Sequence, residues 1–178
     1  MQIVLIIVGV LIGIVLLIVI FGFTKPRKSY MFREVEINTT PEKVFEYANN
    51  LQKFVENWSP WTEKDPDMET TYNDIVEGVG STYDWKGHPK KVGFGTMKII
   101  KSEPFTKVES LLNFGGRGDA NVIVHIAQKS EGIVSVKWDF SSDSGNNPVS
   151  RIFGSMMDKF LGPDFELGLK KLKETCEG

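Results

Sequence analysis

The sequence predicts an α+β protein in which a curved antiparallel sheet wraps a long C-terminal helix, preceded by one N-terminal transmembrane helix. Three observations carry this expectation. Residues 3–23 form an unbroken apolar run. Residues 68–141 alternate apolar and polar side chains in short stretches separated by Gly, Asn and Pro, as strands joined by turns do. Residues 149–172 then place apolar side chains at steps of three and four, as a helix does.

From Ile3 to Phe23 there is no charged or strongly polar side chain. At about 1.5 Å per residue the run makes a helix of about 31 Å, the thickness of a bilayer's hydrocarbon core. A helix apolar on every side has no water-facing surface. A cleaved secretory signal would need a positive leading segment, an apolar core of about 7–15 residues and a small-residue cleavage site. Met1-Gln2 and Phe21-Gly22-Phe23-Thr24 supply neither flank. The expected division is therefore an anchor over 1–24, a basic linker over 25–29 and one soluble domain over 30–178. Lys25, Arg27 and Lys28 follow the span directly. Cationic side chains so close to a span are retained in the cytoplasm, which predicts a single-pass cell-membrane protein with a cytoplasmic domain. The same cations suit anionic headgroups.

Met31–Asn38 reads as a strand, with Phe32, Val35 and Ile37 on one side and Arg33, Glu34 and Glu36 mostly on the other. Thr39-Thr40-Pro41-Glu42 is a helix start: a capping hydroxyl, proline in the first turn and an acid at the positive end. Val44, Tyr47, Ala48, Leu51, Phe54, Val55 and Trp58 continue that helix, with a bend or split expected at Asn49-Asn50 and an end at Ser59-Pro60-Trp61. Strands are expected at 68–72, 81–85, 92–101, 107–114, 120–128 and 133–141. Turn signals alone separate them, so they should pair as an antiparallel meander. Phe114-Gly115-Gly116-Arg117-Gly118-Asp119 contains an Arg-Gly-Asp tripeptide, read here as a hairpin turn using glycine's positive φ. After Asn146-Asn147-Pro148, Val149, Ile152, Phe153, Met156, Met157 and Phe160 form one helical stripe. A break is expected at Gly162-Pro163 before Phe165, Leu169 and Leu172 carry on.

The composition narrows the function classes. Three of the 21 Lys and Arg precede residue 29 and none of the 23 acids does, which leaves the domain 18 against 23, a formal −5. A nucleic-acid partner would call for a basic face, so none is expected. Cys176 is the single cysteine and forms no internal disulfide, in keeping with a reducing compartment. His88 and His125 are isolated, so there is no metal-ligand spacing. There is also no phosphate-cradling glycine loop, and Phe153-Gly154-Ser155-Met156 lacks the second glycine of a nucleophile elbow. No metal and no cofactor are expected.

Particular residues accompany this order of elements. They are Thr40-Pro41-Glu42-Lys43-Val44-Phe45, Trp58-Ser59-Pro60-Trp61, Gly78-Val79-Gly80-Ser81-x-Tyr83-x-Trp85, Gly93-x-Gly95-x-Met97, Val134-x-Val136-x-Trp138 and Asp164-Phe165-x-x-Gly168-Leu169-x-x-Leu172-Lys173. With them the chain resembles the START-like (SRPBCC) superfamily, in particular its membrane-anchored bacterial polyketide cyclase/dehydrase-like branch. The resemblance covers nearly all of residues 30–176. It implies the helix-grip fold and a cavity for apolar ligands between sheet and C-terminal helix. Only some members of the superfamily are enzymes, and no motif here matches one catalytic subfamily.

Trp58, Trp61, Tyr83, Trp85, Met97, Phe114, Trp138, Met156, Met157 and Phe160 are the candidate ligand-binding residues. Taken one at a time, most of them read first as ordinary core. The resemblance, with the adaptability of thioethers, favours a pocket. His125 is the one candidate for acid–base work, if its side of the strand faces inward, which the pattern leaves open. Asp84 and Asp139 lie opposite in phase to Tyr83, Trp85 and Trp138 and are expected to face water. The function expected is membrane-tethered binding of a hydrophobic small molecule or lipid. The alternatives are a cyclase/dehydratase-like enzyme acting on an apolar substrate and a non-catalytic regulatory or scaffold domain at the membrane.

Overall fold

A computed structural model describes residues 1–116 and 118–178 of the chain. Helix α1 (Gln2–Phe23) is followed by strand β1 (Lys28–Asn38), helix α2 (Pro41–Ala48) and a short helix α3 (Leu51–Lys53) that widens into a π-helical turn, Phe54–Trp58. One more turn, α4 (Trp61–Lys64), leads to β2 (Glu69–Tyr72), β3 (Thr82–Lys86), β4 (Phe94–Glu103), β5 (Lys107–Asn113), β6 (Asp119–Ser130) and β7 (Ile133–Asp143). Helices α5 (Pro148–Gly154) and α6 (Met157–Glu177) complete the chain.

The seven strands form one sheet in the order β1-β7-β6-β5-β4-β3-β2, with every neighbouring pair antiparallel. Because β1 pairs with the last strand, the sheet's first edge lies where α6 can be laid across it. On the inner side Met31, Ile37, Val122, Val124, Ile126, Val134, Val136, Trp138 and Phe140 are buried against Phe165, Leu169 and Leu172 of α6. Trp138 and Phe165 stack at 3.9 Å between ring centroids. Gly168 allows this approach, since a Cβ there would lie 2.7 Å from the Trp138 ring.

The helix start at Thr40 forms as expected: its hydroxyl accepts from the Lys43 amide, and Pro41 opens the helix. The predicted split falls at Asn49-Asn50. Asn49 caps α2, and the Asn50 side chain accepts from the Lys53 amide to start the next turn. The π-turn beyond it turns Phe54, Val55 and Trp58 all into the core, and the Ser59 amide reaches back to the Phe54 carbonyl at 2.8 Å. Glycines 115, 116 and 118 all have positive φ between β5 and β6. Arg117 itself lies outside the described residues.

Three expectations need correction. The break in the C-terminal helical stripe falls at Ser155-Met156, and α6 runs through Gly162-Pro163. Pro163 removes only the amide that would reach the Lys159 carbonyl, and packing of the following turns on the sheet keeps the helix continuous. In β1 it is Arg33 that faces α6, donating to Asp158 at 2.8 Å and Glu166 at 2.7 Å, while Phe32 is exposed on the outer side. A guanidinium tolerates the helix side because two carboxylates meet it there. Asp139 is buried, for the reasons described below.

The apolar expectation for α1 holds in its coarse form. The helix is long and apolar enough to cross a membrane, and Gly22 is its one buried residue. Its last turn packs on α5, where Gly22 abuts Pro148 so closely that a Cβ would collide with it. The Arg151 guanidinium lies 5.2 Å from the Phe23 ring centre. Arg27 pairs with Asp143 at 2.7 Å, joining the linker to the end of β7.

Candidate functional site

A cavity of about 270 Å³ lies between the inner side of the sheet and the first turns of α6. Strands contribute the floor: Tyr83 and Trp85 from β3, Leu112 from β5, Val122 from β6 and Phe140 from β7, all on the inward phase of their alternation. Phe160, Leu161, Asp164 and Phe165 come from α6, Trp61 and Lys64 from α4, and Met68, Lys91, Val92 and Phe114 from the connecting segments. The wall is mainly aromatic and aliphatic. Trp85 stands edge-on to Phe114 at 6.1 Å between centroids and lies 5.7 Å from Tyr83.

Polar groups meet this apolar wall at a few points. Asp164 is buried and accepts from Lys64 at 2.7 Å, which ties α4 to α6 across the cavity. Burial raises the Tyr83 phenol well above its ordinary range, so it remains a protonated donor. Among the described residues its hydroxyl has no hydrogen-bond partner. The segment 88–92 is held in place from two sides. The buried Asp65 carboxylate accepts from the His88 amide at 2.6 Å and from Lys91 at 3.3 Å, and the Trp85 indole donates to the Val92 carbonyl at 3.1 Å. The His88 amide, and then Lys91, hold the Asp65 carboxyl below its ordinary value. Such a chamber can take up an apolar body and meet a polar group at one end. It offers few groups for proton transfer.

Of the residues singled out from the sequence, Trp61, Tyr83, Trp85, Phe114 and Phe160 line the cavity. Trp58, Met97 and Trp138 are buried in the core outside its lining. Met157 packs against that core, and Met156 is exposed on the turn before α6. His125 lies on the outer side of the sheet, in the phase opposite Val122, Val124 and Ile126. Its Nε2 is 2.9 Å from Asp139, so acid–base work by His125 inside the cavity is ruled out by its position. Asp139 is correspondingly not the water-facing residue expected. It sits on a central strand between Phe32 and Ile123, with the His125 Nε2 at 2.9 Å and the Lys137 Nζ at 3.4 Å from its Oδ2. Asp84 is exposed as expected and accepts from Thr96. The residues missed were Leu112, Val122 and Phe140, which strand alternation could have supplied, and Lys64, Asp164 and Lys91. No local pattern marks these last three, since Lys64 and Asp164 are 100 positions apart.

The sequence profile described as polyketide cyclase / dehydrase and lipid transport matches residues 31–177. The chain belongs to that family. Solved structures agree on the fold. A major latex-like protein of Panax ginseng is 14% identical with a TM-score of 0.58, covering 86% of this chain and 99% of that one. A hypothetical protein of Helicobacter pylori is 8% identical with a TM-score of 0.61, covering 83% and 87%. The di-domain aromatase/cyclase StfQ of the steffimycin biosynthetic pathway is 10% identical with a TM-score of 0.58, covering 84% of this chain and 51% of its own. At these identities the likeness concerns the fold alone. No curated protein matches the sequence. Among the described residues no group of three or more His, Cys, Asp or Glu is arranged to hold a metal ion.

Proposed function

We propose that this family member binds an apolar small molecule or lipid in the cavity beneath α6 while α1 keeps it on a membrane, with the folded domain on the cytoplasmic side. The observation that carries the binding reading is the cavity itself. It is enclosed by Trp61, Tyr83, Trp85, Phe114 and Phe160 and holds the Lys64–Asp164 pair at one side. Its volume of about 270 Å³ suits a small ligand or one segment of a longer chain. The Tyr83 hydroxyl and the Lys64 and Lys91 ammonium groups are the donors that would receive a ligand's carbonyl or acid end. The tether follows from the length and uniform apolarity of α1, and its direction from Lys25, Arg27 and Lys28. Family membership is consistent with this chemistry without naming a ligand.

Native mass spectrometry of the full chain, released from detergent, tests the reading together with solvent extraction of the same sample. The expected result is a co-purifying apolar molecule that disappears in Val122→Trp, which fills the cavity from its floor. A wild-type chain that is empty after purification from cell membranes would overturn the reading. So would an adduct equally abundant in Val122→Trp, which would then belong to α1 or the detergent.

A further inference from the structure

Four large apolar side chains are left in solvent at the corner where α5 meets α6: Val149 (46% exposed), Phe153 (57%), Met156 (38%) and Phe160 (49%). The spacing of four puts Val149 and Phe153 on one side of α5, Met156 lies in the turn that follows, and Phe160 lies in the first turn of α6. Large apolar side chains left exposed together at one corner of a fold point to a contact with something other than water. We infer that this edge, Val149-Phe153-Met156-Phe160, is laid into the leaflet that α1 leaves, so that the α5–α6 corner rests on the bilayer with the α6 end of the cavity turned towards lipid. The inference rests on the reading of α1 as a membrane span.

The occupant follows from where the edge sits. α5 is packed on the last turn of α1, with Gly22 against Pro148 and Arg151 over Phe23. A span of 22 residues reaches about 33 Å, slightly more than the hydrocarbon core, so its last turn lies at the boundary between acyl chains and headgroups. Whatever packs on that turn lies at the same depth. An amphipathic segment at that level buries its apolar side in the leaflet and keeps its cations among the headgroups. The linker, α5 and the start of α6 carry Lys25, Lys28, Arg151 and Lys159, while the acids of the same region, Asp143 and Asp158, are paired with Arg27 and Arg33, which leaves cations for anionic lipids to complement. Phe160 belongs both to this edge and to the cavity lining, so the cavity and the leaflet-facing surface share a side chain. An apolar ligand dissolved in the bilayer would then enter without crossing water.

The register of the sheet supplies an internal control. Lys28 pairs with Asp143 at the linker end of β1 and Asn38 with Ile133 at the other, so Glu131 lies about 36 Å along the sheet from the membrane end. Full-length protein carrying Cys176→Ser is given a single cysteine at Val10, Phe153 or Glu131 and labelled with an environment-sensitive fluorophore. Each variant, checked for wild-type melting in detergent, is reconstituted into phosphatidylcholine–phosphatidylglycerol vesicles with and without spin-labelled acyl chains. The labels at positions 10 and 153 should shift to the blue and lose most of their emission to the quencher, while the label at 131 keeps it. Quenching at 10 but not at 153 would overturn the inference and leave the anchor standing. An unquenched label at 10 would remove the anchor and this inference with it. A blue shift at 153 that is unquenched and grows with protein density would show a second copy covering the edge, and would equally overturn it.

Discussion

Cys176 lies 2% exposed near the end of α6, and desolvation pushes its thiol up to about 11. The thiolate, which is the reactive form, is therefore scarce at neutral pH. Alkylation of the native protein should be far slower than that of a free thiol and should rise to the free-thiol rate across the urea unfolding transition. Rapid native labelling would mean that the last turn of α6 frays. Phe165 illustrates the same packing from its apolar side. It is 1% exposed, stacked on Trp138 and edge-on to Phe140. Replacement by alanine removes the stacking partner and leaves a void, so Phe165→Ala should cost about 3–5 kcal/mol in denaturant unfolding. Gly168→Val forces a side chain into the Trp138 ring and should cost about 1–3 kcal/mol in the same assay. Gly168 lies outside the cavity lining, so Gly168→Val tests the grip of helix on sheet apart from the cavity, whereas Phe165→Ala tests the two together.

At the scale of elements the segment 88–92 is the covering of the cavity least supported by regular structure, and Asp65 is its fastening. The Asp65 carboxyl is held below its ordinary value, chiefly by the His88 amide and then by Lys91. A depressed carboxyl contributes stability that is present above the unfolded-state value and lost as pH falls through the lower, folded-state value. Protection of the His88 and Gly93 amides, taken as their exchange relative to the unfolded-chain rate at the same pH, should therefore be high at neutral pH and fall below pH about 4. Asp65→Ala should show low protection there at every pH, with little change in the amides of β6 and β7. The sheet was the legible part of this architecture: alternation and turn signals located the strands to within a few residues, because each strand buries one phase. The helix break was not, since proline at position 163 is a local signal that tertiary packing overrides, whereas the break at Ser155-Met156 is marked only by the single Gly154 that ends α5. Phe32 and Arg33 were assigned to the wrong sides because the partners that retain Arg33 lie more than a hundred positions away on α6. The cavity followed from the family resemblance, and strand phase alone could have named Leu112, Val122 and Phe140. The Lys64–Asp164 pair and the burial of Asp139 depend on which strands become neighbours, which no local spacing records.

For the molecule as a whole, among the described residues α1 meets the folded domain at the last turn of the helix and the linker, through Gly22 on Pro148, Arg151 over Phe23 and Arg27 with Asp143. None of these side chains belongs to the core gripped between sheet and α6. Removing residues 1–24 should therefore lower the helical far-ultraviolet circular dichroism only by the contribution of α1 itself, and alter the stability of the domain by no more than about 1 kcal/mol, a shift of a few degrees in melting temperature. Uptake of an apolar fluorescent probe is expected to separate into two behaviours. From detergent micelles, where the tether confers no proximity, the truncated and full-length chains should load alike because the cavity is intact. From vesicles, the full-length chain is already held on the surface that carries the probe, whereas the truncated chain must find it by diffusion. Loss of that effective concentration should slow vesicle uptake on the order of a hundredfold. Equal vesicle uptake by both chains would show that membrane proximity plays no part in loading. Loss of the melting transition on truncation would instead show that α1 is part of the fold.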